Sequence, residues 1–400
     1  MTDAKSDVET EEVEAWFVEE DDGSEDPDDR AAAGPTDPAE KYAVSQLRVV
    51  RETKDYQLDY LQHALQPGRE LIDISPAYQR RLRWPNKKKS LLIESFLLNI
   101  PVPPIFLFER DYNEYEVIDG RQRLDAISSF LNNDFSLTGL EYWKELNRKR
   151  FLDLPQVLQK GLLRRSLPAV VLLAETNDTS GGDLDVRRVL FDRLNTGGIR
   201  LNPQELRNAL YPGRLNALLI ELARSDLFTE TWGIPPYQPG EESEPSDLLL
   251  RNPLFASLAD AELVLRFFAL RDATLKDRSG SLRRILDRFM ADNAQPDDAT
   301  VGEMADTFSS SLYRLRAVFG ADTFRLPSTD RLSRPLYDAL MVALSCDPSV
   351  DIEGNAQAVQ RALAESLAKS ESYDVLVGRG NTIGAVRERV ALANDILRAQ

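Results

Sequence analysis

The stretch IFLFERDYNEYEVIDGRQRLDAISSFL, residues 105–131, decides how the middle of this chain folds. It opens on a short apolar run at 105–108, which is typical of a buried strand. Residues 115–118 follow a polar turn and predict the second strand of a hairpin. Apolar side chains then recur at helical spacing over 124–131. The pattern predicts two strands and a helix, with Gly120 at the junction between strand and helix.

Patterns of the same kinds predict the elements on either side of this stretch. Helical spacing is expected over 41–68 and over 90–98, and an apolar run at 166–175 predicts another strand. Asn202 is expected to cap a helix that begins LNPQELRNAL, because proline follows it and glutamate stands three residues later. From residue 215 to residue 400 the periodicity is helical almost throughout.

The net charge of −17 belongs mostly to one end of the chain. Residues 1–40 carry 16 acidic and 2 basic side chains, which is −14 of the total and leaves −3 on the other 360 residues. So acidic a segment with few apolar residues is expected to be disordered. Its short apolar centre at Trp16 and Phe17 leaves a second interpretation open, that it docks on a basic partner surface or shields a nucleic-acid site.

The sequence predicts an α+β protein with three parts: an acidic tail at 1–40, an αβ domain at 41–215 and a mostly α-helical domain at 216–400. No run approaches the 18 apolar residues of a membrane span, and the acidic N-terminus does not match a signal peptide. Cys346 is the only cysteine, which excludes an internal disulfide and a cysteine-rich zinc site. A cytoplasmic protein without membrane partners is therefore expected.

The motif DGRQR, residues 119–123, carries the clearest chemical signal. Arg121 and Arg123 stand in the first turn of a predicted helix, where positive charge opposes the helix dipole by about 0.3–1 kcal/mol each. A bound phosphate would resolve this conflict, with Gly120 allowing close approach, Asp119 capping the helix or holding Mg²⁺, and Gln122 orienting a water. An ordinary strand–turn–helix with an Asp cap and surface arginines explains the same residues.

Two further clusters point to phosphate or nucleic acid. The first is basic and surrounds Trp84, which is available for stacking on a base. The second is a glycine turn whose N–H groups could face a ligand. A solvated turn and plain helix-capping glycines are the respective alternatives. The candidate residues are Arg80, Arg81, Arg83, Lys87, Lys88 and Lys89 in the first cluster, and Asn195, Thr196, Gly197 and Gly198 in the second.

Together, three segments resemble the N-terminal domain of GmrSD-type restriction endonucleases, also catalogued as domain of unknown function 262. They are YQRRLRWPNKKKSLLIESFLLNIPVPPIFLF (78–108), VIDGRQRLDAISSFL (117–131) and FDRLNTGGIRLNPQELRNALY (191–211). The resemblance covers about residues 50–215 and implies a fold like those of ParB and sulfiredoxin. It also implies nucleotide-dependent phage defence, with the motif at 119–123 binding and hydrolysing a nucleoside triphosphate with Mg²⁺. Arg80, from the basic cluster around Trp84, is a further phosphate-binding candidate on its own charge.

Two departures from that family limit what carries over. Arg121 stands where relatives have glutamine, which puts hydrolysis in question and leaves at most a weak NTPase. The only histidine, His63, precedes the motif, so no HNH nuclease centre can be built downstream of residue 215. A separate effector or nuclease subunit is then an expected partner. A non-catalytic module that binds DNA or a partner protein is the competing interpretation, and a nuclease acting through carboxylates alone ranks last.

Overall fold

The computed structural model describes residues 8, 10–20, 50–66, 71–73, 84–173, 202–241, 245–327, 329–378 and 382–400. The chain forms two compact units. One is an αβ unit within residues 35–201, and the other is a helical unit that combines residues 1–34 with residues 202–400. The first helix of the chain, α1 (Thr10–Glu20), belongs to the helical unit. The protein is therefore of the α+β class, with a helical C-terminal region.

The αβ unit is built around a mixed sheet that has five strands among the described residues, in the order β1-β5-β3-β4-β2. Its centre is the hairpin that the sequence predicts, followed directly by the predicted helix. The elements are β1 (Arg51–Gln57), α2 (Leu58–Ala64), β2 (Ile72–Asp73), α3 (Asn86–Leu97), β3 (Ile105–Asp111), β4 (Glu114–Asp119), α4 (Arg121–Leu131), α5 (Gln156–Leu163) and β5 (Ser166–Leu172).

Strand pairing determines where the motif lies. β3 and β4 are antiparallel, and Phe106 at the start of β3 stands opposite Asp119 at the end of β4. β5 runs parallel to β3, β2 runs parallel to β4, and β1 is antiparallel to β5. The chain leading into β3 therefore lies beside the turn that leaves β4. Residues 101–104 become neighbours of the motif in this way.

The apolar side chains of this unit form one core beneath the motif. α3 contributes Ile93 and Phe96, and α4 contributes Leu124, Ile127 and Phe130, each at most 3% exposed. The spacing of these residues at three and four positions places them on one face of each helix. The strand side chains that complete the core include Ile105, Leu107, Ala169 and Val171.

One sequence prediction in this unit is wrong. Within the helix expected over 41–68, residues 51–57 form strand β1, which pairs along its whole length with β5, and among the described residues 50–66 the helix covers 58–64. RETKDYQ has little apolar content and lies at the sheet edge, mostly exposed. The segment forms a strand because it hydrogen-bonds to β5, and no pattern within the segment predicts that pairing.

The helical unit follows the predicted periodicity closely. The helical periodicity expected over 215–400 is confirmed where it is clearest, because helices contain the segments ELVLRFFALRDATL, GEMADTFSSSLYRLRAVF, PLYDALMVAL and AVRERVALANDIL. The helices are α6 (Pro203–Leu210), α7 (Arg214–Ala223), α8 (Asp226–Trp232), α9 (Asp247–Arg251), α10 (Pro253–Ala256), α11 (Ala259–Leu275), α12 (Leu282–Asp292), α13 (Asp298–Phe319), α14 (Arg334–Cys346), α15 (Ala356–Ala368), α16 (Ser370–Val377) and α17 (Ile383–Leu397). None of the helices in the described part of the chain is long and apolar enough to cross a membrane.

The predicted cap of α6 is confirmed in detail. The Asn202 side chain accepts the N–H of Glu205 at 2.9 Å, and the Glu205 carboxylate accepts the N–H of Asn202 at 2.9 Å. Asn202 also donates to the carbonyl of Ser257, and Arg207 donates to Asp287. These contacts bind α6 to the helical unit, which begins at residue 202, whereas the sequence places the boundary at 215.

The prediction of disorder over residues 1–40 does not hold for residues 10–20. They form α1, in which Val13 is 1% exposed and Trp16 and Phe17 are each 7% exposed. Although the segment is acidic overall, these three residues form a short apolar face. The helix is stable because this face packs on the helical unit. The segment 21–40 lies outside the described residues.

Candidate functional site

Gly120 forms the turn between β4 and α4 in a conformation that favours glycine. Its φ is +100°, in the left-handed region, and a Cβ there would lie 2.2 Å from Cγ2 of Ile105. Gly120 supplies no side-chain cap, and the first turn of α4 contains no acidic residue. The backbone therefore opens α4 directly at the end of the sheet, with a positive helix terminus that no neighbouring carboxylate within the helix neutralises.

Arg123 is held in place from three sides. Its Nη1 donates to the carbonyls of Pro103 and Pro104 at 2.5 and 3.0 Å, and its Nη2 donates to Asp119 Oδ2 at 2.6 Å. The Arg123 side chain is 12% exposed and that of Asp119 is 34% exposed. A guanidinium has five N–H donors, so the three bonds leave Nε–H and one Nη2–H for another acceptor. The local charge conflict at Arg123 is thus partly resolved within the protein, by an ion pair four residues apart.

Asp119 has one carboxylate oxygen engaged by Arg123, and Oδ1 remains the candidate metal ligand. The described residues contain no group of three or more His, Cys, Asp or Glu side chains that could hold a metal ion. Mg²⁺ in nucleotide sites is commonly bound by one or two carboxylates together with phosphate oxygens. Asp119 alone would suit a site of this kind, in which the phosphate oxygens supply most of the Mg²⁺ ligands.

Gln122 lies inside the protein, in contact with the neighbouring basic segment. It is 9% exposed, and its side-chain carbonyl accepts the N–H of Trp84 at 3.0 Å. Trp84 stands just before α3, so this bond links the motif to the start of that helix. Arg121 is partly exposed at the first position of α4. The bond to Trp84 gives Gln122 a positioning role that the sequence did not suggest.

The lysines at the start of α3 differ in their surroundings. Lys87 and Lys88 are exposed, and Lys88 Nζ lies 4.4 Å from the centroid of the Trp84 ring. Lys89, in contrast, is 8% exposed and its Nζ lies 2.7 Å from Asp125 Oδ2. Lys89 as a DNA-binding candidate is therefore corrected: its charge is paired with α4 inside the unit.

The remaining candidates cannot be placed. Arg80, Arg81 and Arg83 lie outside the described residues, and so do Asn195, Thr196, Gly197 and Gly198. Of the predicted site residues, the structure brings together those of the motif and, through the bond from Gln122 to Trp84, the start of α3.

Sequence reasoning missed the main-chain part of the site. The carbonyls of Pro103 and Pro104 have no signature in the sequence that assigns them to Arg123. The ion pair between Asp119 and Arg123 does have a signature in the sequence, because side chains of opposite charge four residues apart are neighbours on a helix.

Glu94 supports the site from the buried side of α3. It is 3% exposed, and its carboxylate accepts the N–H groups of Glu141, Tyr142 and Trp143 at 3.1, 2.9 and 2.8 Å. Burial acts to raise the pKa of this carboxyl, but the three hydrogen bonds outweigh it, so the pKa lies below its usual value. The contact fastens the loop after α4 to the helix that carries Lys87 and Lys88.

The part of the chain that contains these residues is similar to a known protein family. Residues 61–212 match the family model described as GmrSD restriction endonuclease, N-terminal domain. The matched range contains the motif at 119–123, the start of α3, and α6. No curated protein and no solved structure matches the chain.

Proposed function

We propose, on the premise that residues 61–212 are a GmrSD restriction endonuclease N-terminal domain, that this chain serves a restriction or anti-phage defence system by binding a nucleoside triphosphate at residues 119–123. The observation that carries the proposal is the turn at Gly120, which opens α4 directly after the end of β4 with two arginines in its first turn. A helix N-terminus with arginine donors is a common way to bind phosphate oxygens.

Arg123 supports this proposal because it is oriented before any ligand arrives. Two prolyl carbonyls and Asp119 hold its guanidinium, and the side chain keeps two N–H donors beyond those three bonds. An arginine already ordered loses less conformational entropy when it binds a phosphate than a mobile surface arginine does. Asp119 Oδ1 would share Mg²⁺ with the phosphates.

Binding with slow hydrolysis is the expected activity. A glutamine that orients the attacking water must reach solvent, whereas Gln122 is 9% exposed and its side-chain carbonyl accepts the N–H of Trp84. Arg121 replaces the glutamine that the resemblance implies at the other candidate position. The site thus retains cationic groups for phosphate, while Gln122 is buried against the start of α3.

A separate nuclease or effector subunit is the proposed partner. The 400 residues contain one histidine, His63, and HNH chemistry requires more than one. Nucleotide binding at this site would then regulate a DNA-cutting activity that lies outside these 400 residues.

Calorimetric titration of the full chain with each of the four NTPs, with and without Mg²⁺, tests the proposal. Arg123→Ala should weaken binding about tenfold or more, because a charge-assisted hydrogen bond contributes about 1.5–3 kcal/mol. Arg150→Ala is the matched control: Arg150 is exposed and donates to the carbonyl of Asn133, just beyond the far end of α4. That end is about 12 Å from Arg123, given 1.5 Å per residue over the 8 residues from Arg123 to Leu131.

Thermal unfolding without nucleotide shows whether Arg123→Ala is folded, since Asp119 loses its partner in this variant. The proposal fails if no NTP binds at millimolar concentration. It also fails if folded Arg123→Ala binds as tightly as the unchanged chain.

DNA binding at the start of α3 is the second candidate function, and one observation favours it. Lys87 and Lys88 are exposed, with Lys88 over the Trp84 ring, which resembles the pairing of cation and aromatic side chains in sites for single strands. The double variant Lys87→Ala/Lys88→Ala should weaken binding to a fluorescent oligonucleotide. The slope of log K against log salt concentration should also become shallower, by up to the amount expected for about two lost phosphate contacts. Lys149→Ala/Lys160→Ala, two exposed lysines of the same unit, is the control. Equal loss in both double variants would indicate general charge attraction only.

A further inference from the structure

Helix α1 presents one apolar face and several acidic side chains. Val13, Trp16 and Phe17 are buried in the core of the helical unit, together with Val8 just before the helix. Glu14 and Ala15, between them in sequence, are exposed. The helix TEEVEAWFVEE contains five glutamates in 11 residues. It is therefore an acidic helix that attaches by a narrow aromatic stripe.

The surface that receives α1 is aromatic with one buried cation. The Trp16 ring meets the Trp232 ring edge to face, with centroids 6.2 Å apart. The Arg334 guanidinium lies 5.1 Å from the centroid of the Trp16 ring, and its Nη1 donates to the Trp16 carbonyl at 3.2 Å. Arg334 is 2% exposed and lies 3.5 Å from Glu262. The surface thus recognises both the ring and the main chain of one residue.

The charge of Arg334, already paired with Glu262, is further complemented by α1. Arg334 is the first residue of α14, where the helix dipole disfavours a cation. The carbonyl of Trp16 comes from the second half of α1, whose C-terminal end carries partial negative charge. The acceptor, the ring face and the dipole of α1 therefore all complement a buried cation on the receiving surface.

The same contacts are what make α1 a helix. An isolated helix of 11 residues is marginal in water, and glutamates at its C-terminal end oppose its dipole. In sequence, α1 is separated from the rest of the helical unit by the whole αβ unit. Its position depends on contacts with a distant part of the chain, as that of a bound peptide does.

We propose that the surface around Trp232 and Arg334 is a binding site for a short acidic helix that presents tryptophan and phenylalanine on one face, and that α1 is its resident occupant. A helix of the same chemistry, supplied by another molecule, replaces α1 on this surface. The helical unit would in this way bind a partner segment by exchange with its own N-terminus. This proposal does not depend on nucleotide binding by the αβ unit.

Fluorescence anisotropy with a labelled peptide of residues 6–22 tests the exchange on the full chain. Trp16→Ala in the chain weakens the resident helix, so this variant should bind the peptide at least tenfold more tightly than the unchanged chain does. A peptide in which tryptophan is replaced by alanine should bind neither. Glu14→Ala, on the exposed side of α1, is the matched chain variant and should behave as the unchanged chain.

Circular dichroism and thermal unfolding establish that Trp16→Ala is folded. A folded Trp16→Ala chain with no gain in peptide affinity would overturn the proposal, and so would equal binding of the alanine peptide.

If the Trp16→Ala chain does not fold, a second measurement tests the proposal without that substitution. A protease site is inserted between residues 30 and 31 of the otherwise unchanged chain, and the cleaved protein is incubated with labelled peptide. Exchange of the released N-terminal fragment for the peptide supports the proposal. A fragment that dissociates at once without the peptide binding, or that never exchanges, contradicts it.

Discussion

At the scale of single residues, Gly120 determines whether the turn before α4 can form. Its φ is in the left-handed region, and a Cβ at this position would lie 2.2 Å from Ile105 Cγ2, which leaves no room for any side chain. This turn places the arginines of the motif directly after the end of β4.

Gly120→Ala should lower the free energy of unfolding by about 2–4 kcal/mol, through strain at positive φ and the clash with Ile105. Urea denaturation measures the change. Gly161→Ala is the control, because Gly161 lies in α5 with nothing within 4 Å of its Cβ position. It should gain about 0.5–1 kcal/mol from better helix propensity. Similar effects in both variants would mean that the turn at Gly120 is not constrained.

Glu94 makes the stability of the αβ unit depend on pH. Its pKa is lower in the folded chain than in the unfolded chain, so its stabilising contribution is full above the unfolded pKa of about 4.3 and is lost as pH falls through the folded pKa. Glu94→Gln should lower the free energy of unfolding at pH 7 by about 1.5–3 kcal/mol.

The same variant should show a smaller loss of stability between pH 5 and pH 3 than the unchanged chain, measured by urea denaturation at each pH. Glu145→Gln, an exposed residue of the adjoining loop, should leave the profile unchanged. A profile for Glu94→Gln that parallels the unchanged chain would contradict the assignment.

At the scale of elements, α11 and α14 are joined inside the helical unit by a buried ion pair. Arg266 is 1% exposed and Asp338 is fully buried, with Nε donating to Oδ1 at 3.1 Å. Neither residue is accessible for binding a large ligand. Removal of one partner leaves an uncompensated buried charge, which costs far more than loss of a surface pair.

Arg266→Ala should therefore lower the free energy of unfolding by about 3–5 kcal/mol, whereas the double change Arg266→Leu/Asp338→Leu should recover most of that loss. Thermal or urea unfolding measures both. Arg398→Ala breaks an exposed pair with Asp347 in the same unit and should cost less than about 1 kcal/mol. A double variant as unstable as Arg266→Ala would show that the pair is needed for more than charge balance.

At the scale of the whole molecule, charge is divided unevenly along the chain. Residues 1–40 carry −14 of the net −17, and part of that segment is α1, which contributes to the core of the helical unit. Deletion of residues 1–40 would therefore remove core side chains as well as charge. A test of the tail as a competitor for DNA needs substitutions that leave α1 intact.

We expect neutralisation of Asp21, Asp22, Glu25, Asp26, Asp28 and Asp29 to asparagine or glutamine to strengthen DNA binding several-fold at low salt. The gain should disappear near 0.5 M salt, where the Debye length falls to roughly 4 Å. Fluorescence anisotropy over a salt series measures it. Affinity that is unchanged at all salt concentrations would show that the acidic segment does not compete with DNA.

Several features of the fold follow from local patterns and were predictable. The hairpin, α4 and the cap at Asn202 each depend on residues within a few positions of one another. The errors share a different cause. β1 is a strand through its pairing with β5, Lys89 is buried through Asp125, and α1 is ordered through a surface more than 200 residues away. In the candidate site, the motif was visible in the sequence, but the carbonyls that orient Arg123 were not.

Local sequence was enough to specify most of the elements, though not β1 or α1, because spacing, caps and glycine positions act over one or two turns of chain. It also determined the motif, since charge placement at a helix start is a local property. Only the tertiary structure decided what each charged or aromatic side chain contacts. Arg123 meets two prolyl carbonyls, Gln122 meets Trp84, and Trp16 meets Arg334. These partners are distant in sequence, and burial selects them because a polar group removed from water needs a hydrogen-bond partner wherever the folded chain supplies one.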